Sequence, residues 1–207
     1  MRDIAIKEIC KKLSKEHNID LGDKIALDFF AREGDWQTQY WAQRVKKVYA
    51  WEINESFKEN LKKNLPIGSE VTIGDSFKLA QQTDVRFGMI VIDNPQGNYG
   101  QNKVYCEHFE ALPLCLGLLS SGGGLLILNV KTKPFNYGSK ELWKQRRNSF
   151  YAVEDASELS EEFVLQFYEN YFLNFGFVTK FAFLEKRPQE SGLSALTVQL
   201  ERIHENH

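Results

Sequence analysis

The run Phe87-Gly-Met-Ile-Val-Ile-Asp93 is nearly all apolar, has the length of a strand and stops at Asn94-Pro95. Such a segment belongs in a sheet covered on both faces. Similar runs recur along the chain: Lys24–Ala31, Val48–Ile53, Glu70–Gly74 and, released by Gly122-Gly-Gly124, Leu125–Val130. Helical patterns separate them. Asp35 is placed to cap a helix carrying Trp36, Tyr40, Trp41 and Val45, and Asn54 one carrying Phe57, Leu61 and Leu65 that ends at Pro66 and Gly68. A short helix spans Ser76–Gln82, and Cys106–Leu119 reads as a helix bent at Pro113. Ile4–His17 forms an amphipathic leading helix within a lead segment 1–23.

Repeated strand, turn and helix predict a parallel sheet wrapped on both faces. The last third changes pattern. Ser160–Phe175 is helical, whereas Gly176–Lys186 and Leu193–Ile203 are β-rich and joined by Arg-Pro-Gln-Glu-Ser-Gly, which predicts a terminal antiparallel pair. The expected fold class is α/β, a Rossmann-like three-layer sandwich with a mostly parallel seven-stranded sheet. One domain is expected over residues 1–207, with 131–158 an insertion or lid after the fifth strand.

Composition narrows the function. With 26 Lys and Arg against 28 Asp and Glu, there is no chain-wide positive field, so nucleic-acid contact must come from a local patch. The three cysteines have no CxxC spacing, and the four histidines lie far apart, which argues against a disulfide framework or a metal site. The first residues alternate charged and apolar side chains, unlike a signal peptide, so a cytoplasmic location is expected. Motifs of hydrolases and nucleotide triphosphatases are absent.

Ligands of open α/β sheets lie beyond the carboxyl ends of the strands. Acids cluster there: Asp28, Glu52, Asp75 and Asp93 follow four successive runs. The turn Ala31-Arg-Glu-Gly34 keeps one glycine, and Arg32 with Asp35 opposes a pyrophosphate, which disfavours a dinucleotide. A nucleoside without phosphates fits better. Glu52, eighteen residues after Gly34, can accept from ribose hydroxyls, and Asp75 from an adenine amino group. Taken singly, Gly34 is better explained as a turn, Glu52 as a helix N-cap neighbour and Asp75 as a helix cap; taken together, four acids on one sheet edge favour a site.

Asp28-x-Phe30-Ala31-x-x-Gly34 resembles the first motif of the class I S-adenosylmethionine-dependent methyltransferases, with Arg32 in place of its first glycine. The resemblance implies S-adenosyl-L-methionine as cofactor, bound by Asp28, Phe30, Ala31, Gly34, Glu52, Ile53, Asp75, Ser76 and Asp93. Asp93-Asn94-Pro95-Gln96 is similar to the Asp/Asn-Pro-Pro-Tyr loop of amino-methyltransferases acting on nucleic-acid bases or protein glutamine. Asp93, Asn94 and Pro95 would then orient an amino nucleophile, with Tyr99 supplying the ring that Gly97 lacks. A positioned carboxylate or amide and a carbonyl can hold both amino hydrogens while the lone pair faces the methyl group. The expected acceptor is an amino group of a nucleic-acid base, RNA or DNA. A protein side chain, a small amine, or a binding module without catalysis are the alternatives. Six cations between Lys131 and Tyr151, namely Lys131, Lys133, Lys140, Lys144, Arg146 and Arg147, alternate with five aromatics and form the candidate nucleic-acid patch; a solvated loop whose rings pack inward is an equal reading.

Overall fold

The computed structural model describes residues 4–35, 37–188 and 191–203. The chain begins with helix α1 (Ile4–Lys15) and strand β1 (Ile25–Asp28), followed by helix α2 (Thr38–Trp41) and strand β2 (Lys47–Glu52). Helix α3 (Lys58–Asn64), strand β3 (Glu70–Ile73), helix α4 (Ser76–Gln82) and strand β4 (Met89–Ile92) come next. A small hairpin, β5 (Asn98–Tyr99) and β6 (Tyr105–Cys106), precedes helix α5 (Ala111–Leu118) and strand β7 (Gly123–Lys131). Helices α6 (Glu141–Tyr151) and α7 (Glu161–Asn174) then lead to strands β8 (Phe177–Lys186) and β9 (Leu193–Arg202).

Seven strands form one sheet in the order β3-β2-β1-β4-β7-β9-β8. The first five are mutually parallel, and β9 runs antiparallel to both β7 and β8. This is the Rossmann-like three-layer architecture the sequence predicts, with its antiparallel pair. The two-residue period of a strand divides the core. Leu27, Ile90, Ile92, Leu126 and Leu128 join the layer of α4 to α7, while Ala26, Met89, Val91, Leu125 and Ile127 join that of α1, Trp41 and Leu61. Each fully buried large aliphatic side chain contributes about 1.5–3 kcal/mol. No helix among the described residues is long and apolar enough to cross a membrane.

Two local expectations are corrected. The helix expected from Asp35 shrinks to α2 and a 3₁₀ turn at Ala42–Arg44; its N-cap is Gln37, without a side-chain bond, and Val45 is extended. Trp36 lies outside the described residues. Thr38 is drawn instead to the end of β1, where its hydroxyl donates to Asp28. The helix expected from Cys106 starts only at Ala111, because residues 98–106 pair as a hairpin. Pro113 therefore falls in the first turn of α5, where no intrahelical donor is lost, and it bends nothing.

Candidate functional site

Strand order reverses between β1 and β4, so a crevice opens at their carboxyl ends. The chain leaving β1 straddles it. Phe29 N–H donates to Val91 of β4 at 2.9 Å and Ala31 N–H to Trp51 of β2 at 3.0 Å. Asp28 lies level with Ala50 and Val91, so Glu52 and Asp93 stand two residues further out on either side.

Arg32 takes a left-handed conformation at φ +50, which disfavours any residue with a Cβ. Its N–H donates to Glu52 Oε2 at 2.8 Å, a charge-assisted bond that offsets the strain. The other Glu52 oxygen accepts from Asn54 N–H at 2.7 Å. Each oxygen keeps a second acceptor direction. Glu52 is thereby buried and fixed at the crevice, while Ile53 beside it is 71% exposed. Gly34 closes the turn at φ +65, with its N–H on Ala31 O at 2.9 Å. A Cβ there would meet Leu61 of α3 at 2.8 Å, so this glycine serves loop–helix packing.

Asp28 is buried, and Thr38 Oγ1 donates to its Oδ2 at 2.5 Å. Its Oδ1 has no hydrogen-bond partner among the described residues. Burial pushes the carboxyl up from 3.8 to about 7; the hydrogen bond from Thr38 opposes this, and the charges of Asp93 and Glu52 reinforce it. Phe30 lies over the crevice wall, its ring edge-on to Phe29 at 4.8 Å and to Tyr99 at 5.8 Å. Asp75 caps α4, its Oδ1 accepting from Phe77 N–H at 3.0 Å, and Ser76 is buried in that first turn.

The loop after β4 is tied to β7. Asn94 Oδ1 accepts from Asn129 N–H at 3.0 Å and its Nδ2 donates to Asn129 O at 3.3 Å, so the side-chain amide continues the ladder beyond Ile92. Asp93 Oδ1 accepts from Asn129 Nδ2 at 2.6 Å and faces Arg187, from the β8–β9 connection, at 3.4 Å. Pro95 is exposed, and Gln96 Nε2 donates to Asn94 O at 3.3 Å. Tyr99 presents its ring to Phe30 but commits its hydroxyl to Glu107 O at 2.9 Å.

The expected basic patch is corrected. Arg147 is fully buried and ion-paired with Glu107 at 2.7 Å, because α6 turns it toward the core with Trp143 and Tyr151. Lys131 is 7% exposed, its Nζ on Ser191 O at 3.3 Å and 4.9 Å from the Phe135 ring. Arg146 pairs with Glu110 and donates to the carbonyls of Lys103 and Val104. Lys133 and Lys140 remain exposed and Lys144 half-exposed.

Sequence reading missed Thr38, Glu107, Asn129 and Arg187. Asn129 carried a signal, a polar residue inside the apolar Leu125–Val130 run; the others did not.

No family model and no curated protein matches the chain. Solved structures do. Over 98% of this chain and 78% of the other, it is similar to M. jannaschii TYW2, solved in complex with AdoMet, at 16% identity and a TM-score of 0.56. An rRNA methylase from Streptococcus thermophilus shares 15% identity at a TM-score of 0.56, with 99% of each chain covered. The M. jannaschii tRNA m1G37 methyltransferase shares 13% at 0.53, with 95% of this chain on 49% of that one. At these identities the likeness establishes the fold.

Proposed function

We propose that this protein is an S-adenosyl-L-methionine-dependent methyltransferase whose acceptor is RNA. The observation that carries the reading is the Glu52 cradle. A buried carboxylate at the end of β2, with both oxygens already held by backbone N–H groups and an exposed Ile53 beside it, suits a ribose diol and an adenine face. The unpartnered Oδ1 of Asp28 fits a cationic ligand in the same crevice. RNA is preferred because the solved structures above include proteins named for tRNA and rRNA methylation.

S-Adenosylmethionine supplies a methyl group on a sulfonium, transferable by in-line displacement. Glu52 would accept from the ribose hydroxyls through its remaining acceptor directions and Asp75 from the adenine amino group, with Phe30, Ala31, Gly34 and Ser76 shaping the walls. Asp93 would accept a hydrogen bond from the amino group of the acceptor, with the carbonyls of the 93–97 loop beside it. Asn94 acts as a positioning residue through Asn129, Pro95 fixes the direction of the loop, and Tyr99 flanks it with its ring. Positioning of this kind supplies much of the barrier reduction in such a transfer.

The test combines labelled methyl donor with separate pools of RNA, DNA and protein. Label in RNA upholds the reading. Label confined to DNA would overturn the choice of RNA, and label confined to protein would favour a protein acceptor, a reading that the burial of Arg147 and Lys131 supports by thinning the basic face. Replacing Glu52 with Gln removes one charge-assisted acceptor, so affinity for sinefungin should fall about 10- to 100-fold in calorimetry. Unchanged affinity would contradict the ribose assignment.

A further inference from the structure

The loop after β4 does not hold itself in place. Gly97 O accepts from Glu107 N–H at 3.0 Å, and Tyr99 O–H donates to Glu107 O at 2.9 Å, so the hairpin that leaves residues 93–97 is closed at Glu107. Gly97 sits at φ +124, and a Cβ there would lie 3.9 Å from the Trp143 indole. Trp143 Nε1 and Arg147 both donate to Glu107 Oε1, at 2.6 and 2.7 Å. The rest of the Arg147 fork reaches the other loop: Tyr137 O–H at 3.0 Å, Lys131 O at 2.9 Å and Ala156 O at 3.3 Å. One fully buried guanidinium therefore joins the segment after β4 to both ends of the segment between β7 and α7.

We infer that Arg147 and Glu107 are positioning residues for the acceptor loop, coupling its placement to the α6 segment that borders the same edge. The inference rests on the assignment of residues 93–97 as the acceptor loop. A buried ion pair is a weak stabiliser compared with an apolar pair of the same shape. What this one supplies is direction, since a planar fork with several fixed donors spans three backbone segments as a point charge cannot.

Two variants separate positioning from stability. Arg147→Lys keeps the charge but loses the fork, whereas Leu13→Ala, on α1 in the opposite core layer, removes apolar packing and leaves both loops untouched. Arg147→Lys should lower kcat on labelled RNA about 10- to 100-fold, as small displacements of reacting groups do, with sinefungin affinity unchanged. It should also speed amide exchange within residues 97–107. Leu13→Ala should lower the melting temperature, as a core cavity does, yet keep kcat within about 3-fold. Turnover that follows melting temperature in both variants, with exchange at 97–107 unaltered, would overturn the inference. If Arg147→Lys does not fold, Trp143→Phe takes its place, removing one donor from Glu107 while leaving the ion pair; unaltered exchange in that variant would count against the inference equally. Should the wild-type protein label no pool, the methyl-transfer reading fails, while exchange at 97–107 still decides the coupling.

Discussion

Asp28 combines full burial, one strong hydrogen bond and two acidic neighbours, and its protonation is written into the stability of the chain. Its folded carboxyl titrates near 7 against 3.8 unfolded, so between those values the folded state holds a proton that the unfolded state has released. Stability is therefore greatest at low pH as far as this group is concerned, falls as pH rises from about 4 to 7, and levels off above. At about 1.4 kcal/mol per unit the total is on the order of 4 kcal/mol. Replacing Asp28 with Asn keeps an acceptor for Thr38 and removes the charge. Denaturant unfolding at pH 8 should show the variant more stable than wild type and nearly free of this slope; an undiminished slope would place the titration elsewhere. Asp28 was legible as a strand-end acid, but its partner Thr38 was not, since nothing in the spacing shows that α2 begins where the hydroxyl can reach β1.

At the scale of elements, α4 is the cleanest agreement between pattern and structure, spanning Ser76–Gln82 as expected. Asp75 serves it as a cap, so its loss has a structural consequence apart from any ligand. Asp75→Ala should lower stability by about 1 kcal/mol, whereas Asp75→Asn should not, as measured by chemical denaturation. Equal loss in both would mean that charge rather than capping holds the helix start. Where elements diverge from expectation, a longer-range pairing wins over a local pattern. The Cys106–Leu119 stretch is apolar enough for a helix, yet Cys106 and Tyr105 find strand partners in Asn98 and Tyr99, and the helix waits until Ala111. Within the expected terminal pair, β9 lies inside the sheet, buried against β7, and β8 takes the edge. The trace of that in the sequence is the Leu196, Val198 and Leu200 face, with Leu193 and Ala195 opening the other.

For the molecule as a whole, the question is how much charge it can offer a polyanion. Arg146 and Arg147 are spent internally and Lys131 is buried, which leaves Lys133, Lys140 and Lys144 on this edge. With about three phosphate contacts to a single strand, the logarithm of RNA affinity should fall with the logarithm of salt at a slope of about −2. Replacing Lys133 with Gln should flatten that slope by about 0.7 in filter binding. A slope twice as steep would show that further cations, outside this patch, carry the contact.

The order of apolar runs determined the sheet, its two covered faces and the acids at its edge, because hydrophobic periodicity and turn chemistry are local properties that survive in any context. Which cations face water was settled only by the tertiary structure. Lys131, Arg146 and Arg147 look alike on paper, and their fate depends on the direction in which α6 packs and on Glu107 and Glu110 arriving from a distant turn. Charge is read residue by residue, but solvation and pairing belong to the three-dimensional neighbourhood.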